Sequence, residues 1–168
     1  LAEEALHKGW ADMIAMGRAL IADPELPKKV AEGRLEDVRK CIACLEGCIG
    51  RLVRDLPIRC AVNPVAGLEH LVTLEKAEKA KKVVVVGAGP AGLEAARVAA
   101  LRGHEVVVVE KENVIGGALR AASVPEFKLE IREIVQWYSS QLAKLGVKLE
   151  LGKEASADYI LSLQPDVV

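Results

Sequence analysis

Cysteine is missing from most of this 168-residue chain; its four copies all fall between positions 41 and 60. With all four committed to one loop, no Cys/His or Ser/His/Asp nucleophile arrangement can be argued. Long apolar runs are missing too. Apolar residues reach 51%, yet runs such as Val83–Val86 and Val106–Val109 have strand length and fall far short of a membrane span. Charge of one sign is not in excess, since the formal net charge is −1, so neither nucleic acid nor a membrane surface is expected as a partner. No basic segment followed by an apolar core opens the chain, so no secretory signal is read, and a reducing cytoplasm is the expected compartment. Aromatics amount to only 3%; Trp10 and Trp137 read as packing or interface residues rather than stacking platforms. His7, His70 and His104 sit in polar or helix-end contexts and read as surface residues. There is no internal repeat and no low-complexity segment.

The length allows one to two domains. The chain opens at Leu1 within a helical pattern and stops at Asp166-Val167-Val168 within a strand pattern, so it is expected to be a piece of a larger protein. Leu1 to Lys8 reads as a helix stopped by Gly9, and Ala11 to Met16 as a buried strand followed by Gly17-Arg18. Short helices are expected at Leu26 to Ala31 and Leu35 to Lys40, and Leu68 to Lys82 reads as a charged linker. From Lys82 onward the order is strand, glycine turn, helix (Pro90 to Arg102) and strand (Glu105 to Glu110), a right-handed parallel βαβ unit. Its four-valine runs suit strands buried on both faces, with the strand at Val83 central in the sheet. Phe127, Ile131, Ile134, Val135, Tyr138, Leu142 and Leu145 recur at helical spacing, and Gly146 ends that helix. Val147 to Leu151 and Pro165 to Val168 supply further strands.

The cysteines follow the spacing C-x2-C-x3-C-x11-C at Cys41, Cys44, Cys48 and Cys60. A cubane iron–sulfur cluster takes two or three thiolates from a tight loop and the last from a more distant return of the chain. Structural zinc more often uses two widely separated CxxC pairs, and here only the first pair has that form. Arg39, Lys40, Arg51, Arg54 and Arg59 stand against Glu46 and Asp55, a local excess of three positive charges that favours thiolates and an anionic cluster. Zinc, two disulfides or four free thiols are the other readings.

In Gly87-Ala88-Gly89-Pro90-Ala91-Gly92, Gly87 permits the tight turn, Gly89 lets the backbone approach a pyrophosphate, and Gly92 lets helix and strand pack closely. The helix starting at Pro90 directs free N–H groups and its positive end at the phosphates, and proline there forfeits no hydrogen bond. Glu110 ends the second strand at the distance expected of a ribose-binding acid; its carboxylate would repel a 2′-phosphate, which argues against NADP at this site. Gly116-Gly117 favours FAD over NAD, because flavoproteins of the glutathione-reductase type carry such a pair near the flavin pyrophosphate; a simple turn is the alternative. Arg18 after Gly17 suits a phosphate ligand at a barrel strand end, or else a solvated arginine at a helix start.

Together the stretch Ala11 to Pro24, the loop from Cys41-Ile42-Ala43-Cys44 to Cys60-Ala61-Val62-Asn63-Pro64, and Gly87 to Gly92 with Glu110 and Gly116-Gly117 resemble the multidomain old yellow enzyme family. That family includes 2,4-dienoyl-CoA reductase, 2-enoate reductase and trimethylamine dehydrogenase. The resemblance implies an α/β architecture: the end of a TIM barrel (1–40), an iron–sulfur loop and linker (41–81), and an incomplete Rossmann-like, doubly wound FAD/NAD(P)-binding domain (82–168). It implies a 4Fe–4S cluster on Cys41, Cys44, Cys48 and Cys60, and FMN phosphate held by Gly17 and Arg18. FAD or ADP would be held by Gly87, Ala88, Gly89, Pro90, Ala91, Gly92, Glu110, Lys111 and Gly117. Electrons would then run from NAD(P)H through FAD, cluster and FMN to an unsaturated acid or thioester. The x3 gap between Cys44 and Cys48 resembles the ene-reductase branch. The alternatives are an amine dehydrogenase, with electrons leaving for a carrier protein, or a non-catalytic module binding zinc and NAD. No catalytic residue is expected within this chain, the chain alone is expected to be inactive, and the apolar edge near Val167 and Val168 is expected to favour self-association.

Overall fold

The computed structural model describes residues 2–168. The first helix, α1, spans Ala2–His7 and is followed by Gly9 at positive φ; Leu1, expected to begin it, lies outside the described residues. Residues 11–16 form no strand, and Met13 is 86% exposed. A parallel strand needs a ladder partner on at least one side, and the sheet of this chain begins only at Lys82. The barrel strand expected there is therefore not formed. Next come α2 (Arg18–Ala22) and α3 (Leu26–Ala31), the latter at the expected bounds. The helix expected over Leu35 to Lys40 shrinks to one 3-10 turn, Leu35–Asp37. The backbone beyond it is claimed from outside: the Arg39 N–H donates to Asp23 Oδ2 (2.8 Å), and the Asp37 carbonyl accepts from the Trp137 indole (3.0 Å).

The cysteine loop carries one short helix that its sequence did not advertise, α4 (Ile49–Leu52). The stretch 68–81 is irregular, as expected of a linker, and is tied at Ala77, whose N–H donates to the Arg102 carbonyl.

Strand β1 (Lys82–Val86), helix α5 (Pro90–Leu101) and strand β2 (Glu105–Glu110) form the βαβ unit, with β1 and β2 parallel and Val84 opposite Val107. The sheet order is β1-β2-β3, where β3 is Lys148–Leu151. The strand expected at the chain's end is reduced to a single parallel bridge, Val83 to Val167, with the Val84 N–H donating to the Val167 carbonyl. That bridge lies on the free side of β1, so β1 is interior once it is counted.

Alternation along the valine runs sends side chains to both faces. Val106 and Val108 join Leu93, Ala96, Ile134, Trp137 and Leu142 under α5 and α7 (Glu130–Lys144). Val84, Val107 and Val109 meet Ile160 of α8 (Ala157–Ser162) on the other face. Helices therefore cover both sides, as a doubly wound sheet requires. Two short segments precede α7: α6 (Ala118–Ala122) and a 3-10 turn at Glu126–Lys128. Phe127, expected on the apolar face of α7, falls in that turn and is 81% exposed, since Pro125 starts a separate turn and α7 begins only at Glu130.

Leu142 is fully buried at the centre of the larger core. Leu142→Ala is expected to lower stability by about 2–5 kcal/mol, the range for an emptied core leucine site, whereas Phe127→Ala should change it by less than about 0.5 kcal/mol. Urea midpoints with an unchanged m-value check the pair; equal midpoints would contradict the placement of α7.

Candidate functional site

The dinucleotide turn is shaped by one close approach. A Cβ on Gly92 would lie 2.0 Å from the Gly87 carbonyl oxygen, so only glycine lets α5 start this near β1. Gly87 itself stands at φ +96°, left-handed territory that a side chain disfavours. A Cβ on Gly89, by contrast, would meet nothing within 4 Å, which leaves open space in front of the N-terminus of α5, where phosphate oxygens fit. Gly116 and Gly117 are packed onto this turn: the Gly116 N–H donates to the Ala88 carbonyl (2.8 Å), and a Cβ on Gly117 would reach 3.0 Å from the Gly89 Cα. The pair is thus part of the site's wall.

Glu110 is buried and reaches back into the same turn. One carboxylate oxygen accepts from the Ala88 N–H at 2.7 Å and the other from the Glu112 N–H at 2.9 Å. Those two donors, Glu112 first, hold its pKa below the usual carboxylate value. The carboxylate therefore fixes the turn while keeping lone pairs for a ribose hydroxyl. Pro90, Ala91 and Lys111 are exposed beside it, at the helix start and just past β2.

The four cysteines line one cavity, together with Ile42, Leu45, Gly47 and Val62. All four are free of disulfides. Among the described residues, no three His, Cys, Asp or Glu side chains stand close enough to share a single metal ion. The donor set, four cysteine sulfurs with no carboxylate or imidazole lining the cavity, is the soft set that iron–sulfur clusters and zinc both take. The loop backbone is bent to present them: Ala43 and Leu45 adopt positive φ, and the Ala43 N–H points at the Cys41 sulfur (3.4 Å). Gly47 lies against the returning chain, where a Cβ would meet the Arg59 carbonyl oxygen at 2.7 Å. Gly17 caps the start of α2, and Arg18, exposed, stands on the rim of this cysteine cavity.

The two sites share one core. Cys41, Ile42 and Cys60 pack against the cluster containing Ala88, Leu93 and Trp137. Helix α7 clasps the segment leading into Cys41, with the Gln141 amide and the Lys144 ammonium on Asp37 Oδ1 (2.8 and 2.6 Å) and Lys40 on Glu133 (2.6 Å). Trp137 is buried here, as a packing residue should be, while Trp10 is exposed under Lys8. His7 and His70 are exposed; His104 is half-buried and accepts from the Lys81 N–H. The contacts at Asp37, Arg39 and Asn63 were not expected as site features; the one sequence signal was the basic excess between Arg39 and Cys60.

Residues 82–156 match the family described as FAD dependent oxidoreductase. Over its whole length the chain is 46% identical to the cinnamate reductase of Clostridium sporogenes, and over 99% of it 48% identical to the NADH oxidase of Thermoanaerobacter brockii. A solved 2-naphthoyl-CoA reductase superposes over 99% of the chain with a TM-score of 0.94 at 44% identity. The chain belongs to the multidomain old yellow enzyme family. It spans about a quarter of the length of these relatives, 25%, 26% and 26% respectively. Other relatives are named as amine dehydrogenases, so what the relatives have in common is oxidoreductase chemistry rather than one substrate. No helix among the described residues is long and apolar enough to cross a membrane.

Since the folded-state pKa of Glu110 is depressed, its contribution to stability is present above the unfolded value, 4.5, and is lost as pH falls through the folded one. Glu110→Gln should cost on the order of 2 kcal/mol at neutral pH, because its amide sets a donor against a backbone N–H. The gap to wild type should shrink as pH drops from about 5 toward 3. A pH-independent gap in chemical denaturation would remove the charged hydrogen bonds from the account.

Proposed function

We propose that this chain is the electron-transfer segment of an NAD(P)H-dependent flavin and iron–sulfur ene-reductase. In this reading the glycine turn takes the adenine half of FAD, and the cysteine cavity takes a 4Fe–4S cluster. The observation that carries it is the common core, in which Cys41 and Cys60 pack against the same cluster of buried residues that includes Ala88 and Leu93 of the dinucleotide site. When bound, the flavin and cluster supply hydride acceptance and one-electron transfer. The chain's own residues do the holding. Helix α5 offers its N-terminal N–H groups, Glu110 orients the turn and accepts from the ribose, Gly117 keeps the wall close, and the thiolates are presented by a bent, basic loop. Gly17 and Arg18 would contribute to an FMN phosphate site completed by other loops of the whole protein. NAD(P)H and an unsaturated acid or thioester would be met by other parts of that protein, in the cytoplasm. The x3 spacing between Cys44 and Cys48 favours this branch over amine dehydrogenases.

Iron and sulfide analysis of anaerobically purified protein is the direct test, and stoichiometric zinc in their place would overturn the reading. Cys48→Ser should lose most of its iron, because a hard oxygen replaces a soft thiolate, and full retention would exclude Cys48 as a ligand. Glu110→Ala should weaken FAD or ADP binding by about 1 kcal/mol, the size of one net hydrogen bond, as read by titration calorimetry. Assayed alone with NADH, added FMN and an enoate, the 168-residue chain should show no turnover above the free-flavin background.

A further inference from the structure

Arg39 is a buried cation without an anionic partner, and it stands two residues before the first cysteine. Only 9% of it is exposed, and among the described residues it forms no ion pair. The carboxylates that face it are already taken: Asp23 pairs with Lys29 at 2.6 Å, and Glu94 is gripped by Arg97 through two hydrogen bonds of 2.8 and 2.7 Å. The Arg39 guanidinium instead donates Nη1 to the Val62 carbonyl (2.9 Å) and to Asn63 Oδ1 (3.3 Å). It lies 4.5 Å from the centroid of the Trp137 ring, while its Nε has no hydrogen-bond partner. Carbonyls and a π face solvate a cation partially; an unpaired buried charge is otherwise costly.

We propose that Arg39 is the buried counter-charge of the metal centre and the tie between the two stems of its loop. The proposal rests on the iron–sulfur reading above. Two observations point the same way. Val62 and Asn63 lie just beyond Cys60, so one side chain joins the chain entering the first ligand to the chain leaving the last. Val62 also lines the cysteine cavity, which places the guanidinium one residue's thickness behind its wall. Four thiolates around a cluster carry net negative charge, and more after an electron is accepted, so a fixed cation there stabilises the reduced state. Arg51 and Arg59 repeat the pattern near the surface, donating to the Pro57 carbonyl (2.7 Å) and to the Ile58 and Gly67 carbonyls (3.0 Å each). Their charges are better screened by water, so Arg39 should dominate. Arg39 is on this account a positioning and potential-setting residue with no chemical step of its own.

The test uses the full-length holoprotein, purified anaerobically, with iron and sulfide assayed before a redox titration of the iron–sulfur centre followed by electron paramagnetic resonance. Arg39→Gln removes the charge, and Arg39→Lys keeps it while losing the forked geometry. The Gln variant should titrate at a lower potential than wild type, and the Lys variant close to wild type. If the Gln variant cannot keep its cluster, retention by the Lys variant still supports the counter-charge. Wild-type potentials in both variants, or equal cluster loss from both, would overturn it with the iron–sulfur reading intact. Wild-type protein without iron and sulfide would overturn both.

Discussion

Trp137 is where the two halves of the chain meet, and most of the arrangement depends on its contacts. The indole N–H donates to the Asp37 carbonyl, one face receives Arg39, and Tyr138 packs edge-on with ring centroids 5.0 Å apart. Because Trp137 sits in the middle of α7, and α7 packs across α5, a displacement of the segment before Cys41 would be felt at the helix that starts the dinucleotide turn. Buried aromatic area supplies the adhesion, and the single hydrogen bond fixes the register. The ion pairs nearby, such as Lys40 with Glu133 and Lys144 with Asp37, are exposed on their cationic side and add little energy, but they set the rotation of α7 over the segment.

The dinucleotide turn shows a different economy of means. Its glycines remove atoms where β1, α5 and the Gly116-Gly117 wall converge, and Glu110 adds one anion where backbone donors would otherwise be left unpaired. A carboxylate suits this because it accepts from several N–H groups at once, whereas an amide cannot face two donors with both of its ends. The same residue is thus needed for the fold of the turn before any ribose arrives. A variant at Glu110 is therefore expected to mix loss of binding with loss of local order, and the two separate by comparing ligand affinity with stability.

Much of this was legible in the residues. The valine runs, the glycine spacing and Glu110 fix β1, α5 and β2 almost to the residue, because local pattern and tertiary requirement agree there. The segment at 11–16 misled, since an apolar run is compatible with a strand yet cannot form one without neighbours. Leu35 to Lys40 also misled: helical propensity was overridden once Asp23 and Trp137 claimed backbone groups of Arg39 and Asp37, two long-range contacts that no local pattern reports. Phe127 fits a helical repeat by spacing alone, but it lies in the 3-10 turn before α7, which begins only at Glu130. The cysteines could be read as a site from their isolation, but the residue that ties their stems together looked like one more basic residue in a basic loop.

The two sites are built on opposite uses of the backbone. At the glycine turn, the Gly87 N–H donates to the Val109 carbonyl and the Ala88 N–H to Glu110, while the N-terminus of α5 faces open space, where its positive end favours an anion such as a phosphate. Around the cysteines, arginines spend their N–H groups on loop carbonyls, which neutralises the backbone's negative ends and leaves cationic charge in place for thiolates. In the proposed function both sites would take on negative charge, one from a ligand's phosphates and one from the chain's own sulfurs. Packing them on a common core keeps those charges apart in space while joining them mechanically through α5 and α7. The proposed electron-transfer role would need that combination, since each site would then hold a different anionic group at a fixed distance from the other.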